Sequence, residues 1–157
     1  MVSLDGSERG DFFVAGGVTS GGRNKKSFMY KNSNWMPMAD MPTARFGLAC
    51  GTLRGKEGGA VEKVVAVGGF YGSYLSTVEV YDVASNTWSN GVDLPVKLYL
   101  AAVVPFEDTF LVIGGKSGSS VFSDKVYRYN RPDGTWTEMP ELRLSEPKYN
   151  VVAMWVS

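Results

Sequence analysis

The sequence predicts an all-β chain built from a repeated unit, and three observations carry that prediction. An apolar run, a glycine pair, a tyrosine and a tryptophan recur three times in the same order. The pairs Gly16-Gly17, Gly68-Gly69 and Gly114-Gly115 follow one another at 52 and 46 residues, and Trp35, Trp88 and Trp136 at 53 and 48. The period is therefore about 50 residues, the length of a supersecondary unit that buries its face only against a neighbouring copy. Lastly, no stretch of ten or more residues keeps helical periodicity without a glycine or proline break.

Taken in order, residues 1–10 are polar and read as a flexible lead-in. Asp11–Ala15 is the first strand ending in a glycine pair, where a φ above zero lets the chain leave the sheet sharply. The loop Val18–Ser27, with Arg23, Lys25 and Lys26, reads as solvated. Ser27–Tyr30 and Trp35–Met38 are strands, and Met41-Pro42-Thr43-Ala44-Arg45 leads into an apolar strand, Phe46–Leu53. The charged, glycine-rich loop Arg54–Glu62 is expected to be mobile. Val64–Val67, Thr77–Tyr81 and a turn at Ser85-Asn86-Thr87 before Trp88 make the second unit. Leu94-Pro95-Val96-Lys97 then enters Tyr99–Pro105, and Pro105 must end that strand or lie at an edge because it cannot donate to the ladder. The third unit continues with Thr109–Ile113, the polar loop Lys116–Ser123, Lys125–Asn130, a turn at Arg131-Pro132-Asp133-Gly134, and Trp136–Met139. Glu146-Pro147-Lys148 leads into a last apolar stretch, Tyr149–Val156.

The order apolar–Gly-Gly–Tyr–Trp resembles the kelch motif of β-propellers, and the resemblance covers nearly the whole chain. It implies one domain, 1–157, of three four-stranded antiparallel blades with strands A to D, A innermost, and repeats at about 11–44, 45–96 and 97–147. Tyr30 departs from the pattern, standing five residues before Trp35 where Tyr81 and Tyr129 stand seven before theirs. The tryptophans are expected in the core, since large amphipathic rings fill blade interfaces. Three blades are about half a ring, because propellers usually close with four to eight. The chain reads as opening at strand B of its first blade and ending with 148–157 as an inner strand without a blade. Either that strand, with Trp155 at the seam, completes the first blade of a second copy, giving a homodimeric six-bladed ring, or the chain is the last part of a longer propeller.

Composition narrows the function. Sixteen basic and sixteen acidic residues leave no net charge, which predicts neither nucleic-acid nor membrane binding. No apolar run approaches the roughly 20 residues of a membrane span. Histidine is absent, which removes the commonest general base and metal ligand together. The copper site of kelch enzymes resembling galactose oxidase and a Ser-His-Asp site are thereby excluded, and neither metal nor cofactor is expected. GGFYG and GGKSG lack the spacing and the following helix of a phosphate loop. The single cysteine, Cys50, reads as a buried thiol and leans towards a reducing, cytoplasmic setting.

What remains is a set of cations, Arg45, Lys97 and Lys148, each shortly after a proline and followed closely by Phe46, Tyr99 or Tyr149. Each cation either pins its loop against a neighbouring carboxylate or joins an aromatic-edged ring suited to an acidic peptide. The kelch resemblance implies that B–C and D–A loops hold a protein partner, with Phe70, Tyr71, Tyr74 and Lys116 as further candidate anchors. The expected function is a non-enzymatic interaction scaffold. The alternative is a sugar-binding or sugar-isomerising kelch protein, for which Arg45, Tyr99 and Glu79 are the available polar groups.

Overall fold

The computed structural model describes residues 2–3, 11–55 and 59–154. Strands form where β-branched and aromatic residues cluster between glycine- and proline-bearing turns. The first sheet holds β1 (Val2–Ser3) and β2 (Phe12–Ala15). A small hairpin of β3 (Val18–Thr19) and β4 (Gly22–Arg23) precedes its remaining strands, β5 (Ser27–Lys31) and β6 (Asn34–Met38). The second contains β7 (Ala49–Arg54), β8 (Val61–Val67), β9 (Val78–Asp82) and β10 (Thr87–Asn90). The third begins with β11 (Ala102–Phe106) and β12 (Thr109–Ile113). It continues, past a second hairpin of β13 (Lys116–Gly118) and β14 (Val121–Phe122), with β15 (Val126–Tyr129) and β16 (Trp136–Glu138). Each sheet is antiparallel with four strands in sequence order, so the molecule is three blades of a partial propeller.

Several expectations shift. Residues 2–3 pair with Phe13 and Phe12 and so occupy the innermost place of the first blade, which the sequence reading left empty. Residues 149–154 form no strand, although they follow the course that leads into β7 and β11 elsewhere; Trp155 lies outside the described residues. β7 and β11 each start three residues later than expected because Gly47 and Leu100 take φ of 61° and 55° and turn the chain first. β8 starts earlier, at Val61, which is buried against the first blade. Pro105 lies within β11, an edge strand, where its missing N–H costs no ladder bond.

Blades pack face to face. Phe13 and Met29 of the first receive Val64, Tyr81 and Trp88 of the second. Val65, Val67, Val78 and Leu94 of the second receive Phe110, Val112, Tyr129 and Trp136 of the third. Gly51 makes that fit: a Cβ there would sit 2.5 Å from the Phe110 ring. Tryptophan also fastens each joint, for Trp88 Nε1 donates to Ala39 O and Trp136 Nε1 to Val92 O, both at 2.9 Å.

The glycine pairs are the second fastening. Gly16, Gly68 and Gly114 have φ of 69°, 62° and 65°, and a Cβ on each would lie 2.6, 2.3 and 2.7 Å from the carbonyl oxygens of Arg45, Leu98 and Lys148. The N–H of the next glycine donates to the same carbonyls at 2.8, 2.7 and 2.8 Å. Only glycine lets the connecting segment come this close.

Candidate functional site

Those backbone bonds define which residues are equivalent. Arg45, Leu98 and Lys148 occupy one position, and the aromatics that follow them, Phe46, Tyr99 and Tyr149, occupy the next. The residues after the second and third glycine pairs pair through their backbones with the aromatics of the connections: Phe70 with Phe46, and Lys116 with Tyr99. All these groups gather on one loop face.

Two clusters result. In the first, Phe70 lies 5.6 Å from Phe46, 5.4 Å from Tyr74 and 6.0 Å from Tyr99 between ring centroids, in tilted and edge-to-face contacts. Gly47 makes room for it, since a Cβ there would overlap Tyr99 at 2.1 Å. The Arg23 guanidinium stands over Phe70 and Tyr71 at 5.6 and 5.4 Å. Tyr71 is 52% exposed, so the cluster offers an accessible ring beside a cation. In the second, Phe122 and Tyr149 stack at 4.8 Å and the Lys116 ammonium lies over both, at 5.7 and 5.4 Å. Such contacts hold a cation in place without neutralising it.

The other predicted cations fare differently. Arg45 is fully buried, donating from Nη1 to Gly68 O and Thr77 O at 2.9 Å each and from Nη2 to Glu79 Oε1 at 2.5 Å. It pins its loop, is not accessible to a partner, and takes Glu79 with it. Neither residue is therefore open to sugar chemistry. Lys97 is exposed, one residue away from the position equivalent to Arg45. Lys148 is exposed and paired with Glu146 at 2.9 Å. The sequence reading missed Arg23 and Phe122. Both stand, like Tyr74, just before the residue whose N–H closes the loop onto the second glycine, at Asn24, Leu75 and Ser123. The loops differ in length, so spacing alone carries no signal for them.

Just beneath that loop face, at the start of the inner strands, Cys50 borders a cleft of about 470 Å³ between Ala15, Ala49, Val103 and Val151. Burial pushes its thiol above the ordinary value. Among the described residues no group of three or more His, Cys, Asp or Glu is placed to hold a metal ion, and no helix is long and apolar enough to cross a membrane.

Comparison with known proteins agrees with this architecture. Kelch-like protein 35 of Mus musculus is 33% identical over 130 residues, covering 82% of this chain and 21% of its own length. Kelch-like protein 40 of Xenopus tropicalis is 28% identical over 156 residues, covering 90% of this chain and 24% of its own. The chain thus spans about a fifth to a quarter of these relatives. A solved structure, "Structure of YjhT", superposes with a TM-score of 0.69 at 17% identity, covering 94% of this chain and 52% of that one, which shows a shared fold. The family profile described as Kelch motif matches residues 62–95 and 97–143, just over half of the sequence. Matched by that profile, and carrying the glycine pairs and joint tryptophans at equivalent places in all three blades, the chain belongs to the kelch-repeat family.

Proposed function

We propose that this chain is a protein-interaction scaffold whose loop face holds an acidic segment of a partner protein. The observation that carries the reading is the pairing of exposed aromatic rings with held cations: Tyr71 with Arg23, and Phe122 and Tyr149 with Lys116. Aromatic and arginine side chains supply most hot spots of interfaces, and a fixed cation gives register to a carboxylate. Similarity to kelch-like proteins supports a scaffold role of this kind, which we place in the cytoplasm. In this reading the blades act within a closed ring of six, made by two copies of the chain.

The test is selection from a random peptide display library on immobilised protein. Selected peptides should be rich in Asp and Glu, and their affinity should fall about tenfold or more for Tyr71→Ala combined with Lys116→Glu, because a hot-spot ring and a favourable charge are lost together. Melting temperature should stay within about a degree or two, since surface changes alter stability little. Selection of neutral or basic peptides, or acidic peptides indifferent to both substitutions, would overturn the reading.

A further inference from the structure

The two open ends of the arc are unequal halves of a joint that the chain makes twice inside itself. The first blade turns Phe12, Tyr30 and Trp35 outward, on the face by which the second blade packs Val64, Tyr81 and Trp88 and the third packs Phe110, Tyr129 and Trp136. Trp35 is 54% exposed, whereas its two counterparts are half-buried. Among the described residues its indole N–H has no acceptor, while Trp88 and Trp136 each donate to a carbonyl of the preceding blade.

The far face of the third blade is the complementary half. Leu111 and Val126 lie on that face, buried beneath the chain's own Ala153, and Leu142 and Leu144, with Val152 and Met154, line an apolar cleft of about 440 Å³ beside them. The counterparts of Leu144, set by the bonds Met41 N to Lys25 O, Leu94 N to Ser76 O and Leu144 N to Asp124 O, are Met41 and Leu94. Both are buried, at 1% and 4% exposure. Ala39 and Val92, whose carbonyls receive the tryptophans, stand two residues before them, which places Leu142 O at the third acceptor position. The third blade has two extra residues here, and the register set by Leu144, rather than the count from Trp136 that would give Pro140, fixes the acceptor, Pro140 O being the one that Arg143 N engages.

We infer that copies join head to tail through this same joint, Trp35 of one copy donating its indole N–H to Leu142 O of the other. The occupant is a second copy because the two open faces of one chain are complementary halves of the joint it makes twice internally, the outward rings and free indole N–H of the first blade against the apolar cleft and Leu142 of the third. A heterologous joint closes when its rotation completes a ring, here at two copies and two seams. The inference rests on the six-bladed ring proposed above, and it adds the group that fastens it.

Light scattering on the full chain tests both levels. At micromolar concentration the mass should be about twice 17.1 kDa. Trp35→Phe keeps a ring but removes the N–H, and should raise the dissociation constant about tenfold or more, since a hydrogen bond is lost at each of two seams. Leu144→Lys, on the opposite face, should leave monomer with an unchanged far-ultraviolet circular dichroism spectrum. A monomeric wild type would overturn the ring and the joint together. A dimer as tight with Trp35→Phe, or one that survives Leu144→Lys, would overturn the joint and leave the ring standing.

Discussion

Arg45 offers the sharpest test of how the blades are held. Replacing it with leucine removes three charge-assisted hydrogen bonds, to Gly68 O, Thr77 O and Glu79 Oε1. Glu79 is 2% exposed and its Oε2 has no other partner among the described residues, so its carboxylate would be left buried and uncompensated. Breaking a buried pair from one side costs about 3–5 kcal/mol. Substituting both partners by packed apolar groups costs far less, and the third blade shows which groups fit. Leu98 holds the position of Arg45, and Tyr127 that of Glu79, because Glu79 pairs with Ala66 as Tyr127 does with Val112. Both are buried. Urea unfolding should therefore show Arg45→Leu losing about 3–5 kcal/mol, a midpoint shift of about 2 M if the slope is about 2 kcal/mol/M. Arg45→Leu with Glu79→Tyr should recover most of that loss. Arg45→Lys should not, since one ammonium cannot span three acceptors in a fork. A loss under about 1 kcal/mol for the single change, or a double variant no better than the single, would refute the argument.

Two further outcomes follow from the same structure. Gly47→Ala meets the Tyr99 ring at 2.1 Å and places a side chain at φ 61°, so it should cost about 1–3 kcal/mol by urea unfolding and disturb tyrosine fluorescence from the loop face; an unchanged spectrum and midpoint would contradict the packing described. Asp82 and Asp133 are held below the ordinary carboxyl value, the first by the backbone N–H and then the hydroxyl of Ser85, the second by the hydroxyl and then the backbone N–H of Thr135. Groups lowered in the folded state add stability above their unfolded pKa that is lost as pH falls through the folded one, so the urea midpoint should drop on acidification below about pH 4, and less steeply for Asp82→Asn with Asp133→Asn.

The glycine pairs and tryptophans were legible in the sequence because each answers a demand no other residue meets. Gly16, Gly68 and Gly114 sit against a carbonyl, and Trp88 and Trp136 span from the core to an acceptor. The cations were harder. Reading Arg45, Lys97 and Lys148 as one ring takes the prolines as a common register. The backbone bonds instead align Arg45 with Leu98, so Lys97 is displaced by one residue and points to solvent while Arg45 turns inward. A slip of one residue was enough to exchange surface for core. Strand starts failed for a related reason: Leu100 at φ 55° is a turn that no apolar pattern announces.

The contact of each glycine pair with the next connection has a consequence for how such arrays diversify. It grips a carbonyl, which every amino acid presents alike. The side chain at that point is thereby released from any duty in the grip, and the three blades use the freedom differently: a buried guanidinium in Arg45, an aliphatic plug in Leu98, an exposed ammonium in Lys148. A coupling blind to side-chain identity lets neighbouring units be duplicated, swapped or rewritten one at a time, with the mechanical continuity of the array carried by main chain alone.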